Sequence, residues 1–272
     1  MTSEQRQIVP AGVCPVRCAS VLAILALVCV ASCASPERLH PPRMLVSPYP
    51  DENKDVVWAV APLRNESGAK HVDGSAIAVA IAAQLTQAQG VVAIPVSRTV
   101  TTMRELGLNA FQGPEHARQI AEALGADAIL VGSITDYDPY NPPKIGVTLS
   151  LYSRARNIRT PFKKDKELDP LDLMGAVSDR SFKLIQADDP DKPLSVASEH
   201  FDGANHEVQY ALRAYANGRF EDGASPLGWR RFLASMTLFT QFAAHRMVER
   251  LLDAERIRLA KQAIAAHLER SR

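Results

Sequence analysis

The sequence predicts an α/β fold: a single mixed β-sheet of about four or five strands, packed with helices and followed by a carboxy-terminal helical pair. Three observations predict it. Two continuous apolar runs of strand length, Val56-Val57-Trp58-Ala59-Val60-Ala61 and Ala128-Ile129-Leu130-Val131, carry no polar face, which suits buried strands. Between them lie helical patterns rich in alanine, which implies close packing on a sheet. After the second run a short turn leads into Ile145, Val147, Leu149 and Leu151, alternating with Gly146, Thr148, Ser150 and Tyr152; so short a connection requires an antiparallel neighbour.

Taken in order, the first strand breaks at Pro62 and leads into a polar loop, Arg64-Asn65-Glu66-Ser67-Gly68. Asp73 or Ser75 caps a helix in which Ile77, Ala80, Ile81 and Leu85 recur at helical spacing until Gly90 stops it. Val91 to Val96 reads as a short second strand. Ser97 to Leu106 and Gly113 to Leu124 read as two helices ended by Gly107 and Gly125. The strand beginning at Ala128 runs to Thr135, and Asp138-Pro139-Tyr140-Asn141-Pro142-Pro143 turns the chain into the alternating strand. Residues 154–193 are polar, with Lys163-Lys164-Asp165-Lys166-Glu167 and Asp188-Asp189-Pro190-Asp191, and are expected to be a mobile insertion. Leu194 to Phe201 supplies a last edge strand. Asn205 then caps a helix with Val208, Leu212 and Tyr215 on one face, closed by Gly218. A longer helix follows, with a stripe of Trp229, Phe232, Leu233, Met236, Phe239, Ala243, Met247 and Leu251, read as core in preference to a docking surface. From Asp253 the periodicity thins into a charged helical tail, 253–272, either solvated or partner-binding.

The amino-terminal segment is of a different kind. Arg6 and Arg17 precede Ala19–Cys33, a mostly apolar stretch too short to span a bilayer as a helix, with the small residues Ala31 and Ser32 immediately before Cys33. Val30-Ala31-Ser32-Cys33 resembles the bacterial lipoprotein box. The resemblance implies a signal peptide over 1–32, a thioether-linked diacylglycerol on Cys33 and acylation of the new amino terminus. Cys18 follows Arg17 and Cys29 follows Val28, so neither has a small residue at the cut. An uncleaved anchor and an ordinary secretory signal cut nearby are the alternatives. Each buried methylene contributes about 0.8 kcal/mol, so two or three acyl chains hold a protein on the bilayer where one does not. Ala34, where an Asp would retain the protein in the inner membrane by the family rule, points to the outer membrane. Residues 33–54, with Pro36, Pro41, Pro42, Pro48 and Pro50, are expected to be a lipidated tether reaching about 60 Å at most. The periplasmic α/β domain then occupies 55–252.

Composition bounds the function. The chain is 46% hydrophobic and 22% charged with a formal charge of +1, which gives no bulk signal for nucleic acid. Loss of residues 1–32 removes Arg6, Arg17 and Glu4 and leaves 29 basic and 29 acidic residues. All four cysteines lie at or before Cys33, so the domain has no internal disulfide, thiolate zinc site or cysteine nucleophile.

VVWAVAPLRNESG, the helix after it and GADAILVGSITDYDPY resemble the small α/β domain shared by the curli-secretion lipoprotein, the lipoprotein activators of penicillin-binding proteins and the amino-terminal domain of the TolB translocation protein. The similarity covers about residues 55–154, extending toward 202, and its pattern is hydrophobic with few diagnostic residues. It implies non-enzymatic work: assembling envelope machinery, activating wall synthesis by contact or forming a secretion pore. The chain departs from these families at 154–193 and in the carboxy-terminal helices, and only the lipid-bearing Cys33 carries a family role.

Candidate chemistry is sparse. Asn65, Ser67 and Gly68 follow a strand, where α/β loops bind ligands, although Asn and Ser there commonly bond their own turn. Asp136, Asp138 and Asn141 lack the Gly and distal Glu of a calcium loop and fit a turn better. His200, Asp202 and His206 match no metal-site spacing. Neither a Gly-x-Ser-x-Gly elbow nor a phosphate-cradling loop is present. The expectation is a lipoprotein, not an enzyme and without cofactor or metal, that binds another envelope protein; a homo-oligomer is compatible with this. The alternatives are a small-ligand or glycan-binding lipoprotein and a hydrolase with a dispersed site.

Overall fold

The computed structural model describes residues 44–49, 55–108, 110–154, 192–217, 219 and 226–270. The expected signal peptide, Cys33, residues 155–191 of the polar insertion and Gly218 lie outside them.

Six strands form one mixed sheet. β1 (Val56–Val60) lies between β3 (Val91–Ile94) and β4 (Ala128–Asp138), parallel to both, and β2 (Arg64–Asn65) adds a short parallel pairing to β4. β5 (Lys144–Ser153) pairs antiparallel with β4, and β6 (Ser195–Asp202) pairs antiparallel with β5 at the end of the strand order. The antiparallel neighbour and the edge strand are where the sequence puts them. β2 is new: the loop read as wholly irregular contributes Arg64 and Asn65 opposite Ser133 and Ile134.

The helices divide over the two faces. On one, α1 (Gly74–Leu85) and α6 (Met236–Arg270) cover Trp58, Val60, Leu130, Ile145, Val147, Leu149 and Phe201. On the other, α2 (Val96–Glu105) and α3 (Pro114–Leu124) cover Ala59, Ile129 and Val131 with Met103, Ile120 and Leu124. α1 is capped by Asp73, whose carboxylate accepts from Ser75 N and Ala76 N at 2.9 and 3.0 Å. It ends at Leu85, earlier than Gly90, whose positive φ of 83° serves the turn into β3 instead. α3 ends in the left-handed Gly125, as expected.

α4 (His206–Asn217) is capped by Asn205, which accepts from Glu207 N at 2.8 Å. The stripe beginning at Trp229 is not one helix. A 3-10 turn, Gly228–Arg230, and the single turn α5 (Arg231–Ala234) precede Ser235, which is extended at φ −132°, and α6 starts after it. Ser235 O accepts from Phe239 N at 2.9 Å, the first bond of the new helix. The break lets Phe232 and Phe239 both bury completely, and Ala243, Met247 and Leu251 continue the buried row, so the stripe is core. α6 passes residue 253 without interruption, and Glu255, Leu259 and Ala260 beyond it are buried.

Residues 44–49 fall within the stretch expected as a free tether, yet they pack on the body. Leu45 and Tyr49 are buried, Val46 bridges Gln89, and Ser47 N and Gln89 N donate to Gln89 O and Leu45 O, each at 2.9 Å. Prolines there do not prevent docking, because two apolar side chains and one backbone bridge suffice to anchor so short an arm.

Candidate binding face

From β1 the chain runs through α1 to β3 on one side, then through α2 and α3 to β4 on the other. Where a parallel sheet reverses its winding in this way, a crevice opens beyond the carboxyl ends of the strands. A cavity of about 520 Å³ occupies that position. Pro62, Leu63, Arg64 and Glu66 after β1 form one wall, Val100, Met103 and Arg104 of α2 another, and Ser133, Thr148 and Ser150 the floor. Phe111 and Tyr152 close it with ring centroids 6.0 Å apart. Gly132 lies on the same floor, where a Cβ would stand 2.3 Å from Thr148 O, so the two strands need glycine there to approach.

The floor continues as the outward side of β4, β5 and β6. Register places four rows across it: Val131, Ser150 and Val196; Ser133, Thr148 and Ser198; Asp136, Gly146 and His200; Asp138, Lys144 and Asp202. Three of the rows are internally bonded. Thr148 Oγ1 and Ser198 Oγ are 2.8 Å apart, His200 Nε2 and Asp136 Oδ2 2.7 Å, and Lys144 Nζ and Asp202 Oδ2 2.9 Å. Asp136 reaches His200 across the middle strand because Gly146 has no side chain; a Cβ there would lie 2.5 Å from Thr135 Oγ1 and 3.2 Å from Asp136 Cβ. The hydrogen bond from Lys144, reinforced by Ala204 N, holds the Asp202 carboxyl below its ordinary range, and the same bond raises Lys144, helped by Asp136 and Asp138. Val196, in the row that reaches the cavity at Ser150, is 49% exposed at the β6 edge of this face.

The three loop residues singled out in the sequence do not line the cavity. Asn65 Oδ1 accepts from Ser67 N and Oγ at 3.1 and 2.7 Å, and Asn65 Nδ2 donates to Ala69 O at 2.7 Å. Gly68, at φ 76°, has open space where a Cβ would stand. Their polar groups hold the turn, while the adjacent Arg64 and Glu66, paired at 2.7 Å, reach the cavity. Asp138 accepts from Tyr140 N at 3.0 Å, and so serves the turn as expected. His200 and Asp202 take separate partners in neighbouring rows, and His206 opens α4. Among the described residues no three His, Cys, Asp or Glu side chains are grouped to hold a metal ion, and no helix is long and apolar enough to cross a membrane.

No family model matches the sequence, and no curated protein matches it. Solved structures to which the chain is similar include the LpoB carboxy-terminal domain from Salmonella enterica, at 16% identity over 37% of this chain and 73% of that one, TM-score 0.31. Lipoprotein GNA1162 from Neisseria meningitidis is similar at 18% identity over 46% and 96%, TM-score 0.31, and the PelC dodecamer from Paraburkholderia phytofirmans at 18% over 43% and 69%, TM-score 0.25. LpoB is a penicillin-binding-protein activator lipoprotein, one of the kinds whose α/β domain the sequence resembles. At these TM-scores the likeness carries no argument about the fold or the function of this chain.

Proposed function

We propose that the protein is a bacterial outer-membrane lipoprotein, anchored through Cys33, whose periplasmic α/β body binds another envelope component by contact and catalyses no reaction. The observation that carries the binding reading is a sheet face that, among the described residues, α2 and α3 cover over β3, β1, β4 and the Tyr152 end of β5 alone; Val196, Ser198 and His200 of β6 stay exposed, and the row of Val131, Ser150 and Val196 runs from that edge into the 520 Å³ cavity. The lipoprotein box carries the anchoring.

Two experiments test these parts separately. Cys33→Ser abolishes fatty-acid labelling and membrane retention; persistent labelling overturns the anchor. A photoreactive residue at Ser150 or Val196 traps an envelope protein in intact cells, whereas one at the exposed Tyr210 on α4 does not; equal trapping at both places overturns the assignment of the face. A second reading, a glycan or other small ligand, is favoured by the Phe111 and Tyr152 rings beside the Ser133, Thr148 and Ser150 hydroxyls. Calorimetric titration with soluble cell-wall fragments decides it, since saturable heat lost in Tyr152→Ala supports a ligand cavity.

A further inference from the structure

A second cavity, of about 760 Å³, lies between α1, α4 and the start of α6. Its apolar wall comes from an unusual helix. α1 buries Ile77, Ala78, Ile81 and Leu85 against the core, yet Ala76, Val79, Ala80 and Ala83 repeat at helical spacing on its outer side, where Val79 is 55% exposed. A helix apolar on every side is ordinarily buried on every side; here the outer row lines the cavity.

The other wall is cationic. The Arg219 guanidinium stacks 4.4 Å over the Tyr215 ring and donates through Nη2 to Gln84 Oε1 at 3.2 Å, with His245 Nδ1 3.4 Å away. Gln84 and His245 are both buried, with His245 Nδ1 3.2 Å from Gln84 Oε1, and burial, with the Arg219 and Arg246 charges, holds His245 at a pKa of about 4, so its ring is neutral at pH 7. Arg219 therefore has neutral partners, and among the described residues no carboxylate lies within ion-pair distance of it. Asp73, the carboxylate on the lining, is committed to capping α1. A half-buried cation facing an unpartnered apolar row is complementary to a molecule with an anionic head and an apolar body.

We propose that this cleft binds a small amphiphilic anion, its head on Arg219 and its chain along Val79, Ala80 and Ala83. The proposal is independent of the sheet face and of Cys33. It is tested with the full-length chain in lipid nanodiscs, titrated calorimetrically with octanoate against empty nanodiscs, and with octan-1-ol and inorganic phosphate as comparison probes. Octanoate binds saturably at millimolar concentrations or below, octan-1-ol and phosphate each bind at least about tenfold more weakly, and Arg219→Gln weakens octanoate about tenfold or more. Val79→Gln, at an exposed position that leaves the fold intact, weakens octanoate but not phosphate. Octanoate that fails to saturate, that binds no better than octan-1-ol, or that is unaffected by both substitutions overturns the proposal; phosphate binding as tightly as octanoate overturns the apolar half of it.

Discussion

His245 places a titratable ring inside the core, 3% exposed, with Gln84, Arg219, the Tyr215 ring and, one residue on in its own helix, Arg246 around it. Burial is the main reason its pKa falls from 6.5 to about 4, and the two arginines add to it. The sign of the linkage follows. Above pH 6.5 the ring is neutral in both folded and unfolded chains and contributes no pH dependence. Between 6.5 and 4 the unfolded chain takes up a proton that the folded one refuses, so stability falls as pH falls, by up to about 3 kcal/mol at about 1.4 kcal/mol per unit, and levels off below 4. Urea unfolding at pH 7 and pH 4.5 checks this: His245→Gln has lower stability at pH 7, through loss of the ring contact with Tyr215, but a shallower decline toward pH 4.5 than the parent. A slope equal to the parent's would place the proton elsewhere. None of this is legible in the sequence, because a buried histidine has no periodic signature and its partner Gln84 lies 161 positions away.

At the scale of elements, the sheet depends on two glycines in the strands that meet at its centre. Gly132 and Gly146 each face an atom closer than any Cβ tolerates, at 2.3 and 2.5 Å. Gly146→Ala forces Thr135 and Asp136 outward, at a cost of about 1–3 kcal/mol, and parts Asp136 from His200; thermal unfolding reads the first effect, and a changed His200 ring chemical shift at one fixed pH the second. Ser235 is the corresponding point in the helices. Ser235→Pro does not fit, because proline holds φ at about −65° against the −132° found here, whereas Ser235→Ala removes the hydroxyl near Leu238 N and lowers stability by about 0.5–1 kcal/mol in urea, toward the weak end for a helix cap because that contact is 3.5 Å long. The strands that the sequence discloses are those whose burial is written as a run or an alternation: Val56–Val60, Ala128–Ile134 and Ile145–Leu151. β2 is hidden because Arg64 and Asn65 are polar and exposed, and only backbone pairing to β4 makes them a strand. The break at Ser235 is hidden for the opposite reason: the apolar stripe runs straight through it. The cavity on the reversed side of the winding was foreshadowed by the loop after β1, but the side chains that enter it are the charged pair beside the Asn and Ser that drew attention.

For the molecule as a whole, one carboxylate ties three distant parts together. Glu255 in α6 is fully buried and accepts from Tyr49 Oη at 2.6 Å, from Ser195 Oγ at the start of β6 and from Nε and Nη2 of the Arg258 guanidinium. Burial, then the Glu255 charge, holds the Tyr49 hydroxyl protonated well above its ordinary range, so the donor persists through any physiological pH. The docked arm also alters the leash. With lipid on Cys33, only residues 34–44 separate the membrane from the first packed side chain, Leu45, which at about 3.1 Å per residue spans about 35 Å and not the 60 Å of a wholly free tether. On the proposed anchoring through Cys33, the latch thus shortens the reach of the body from the bilayer. Tyr49→Phe removes one charge-assisted bond and costs about 1–3 kcal/mol, while Glu255→Ala leaves the Arg258 charge, 15% exposed, without its partner and costs about 3–5 kcal/mol. The two are separable by hydrogen exchange. Tyr49→Phe speeds exchange at the Ser47 and Gln89 amides, which hold the arm, and leaves amides in β4 and β5 at rates set by its small global loss; Glu255→Ala speeds all of them. Unchanged exchange at Ser47 and Gln89 in both variants would show that Leu45 and the backbone bridge hold the arm without the carboxylate, and that the short leash does not depend on the far end of the chain.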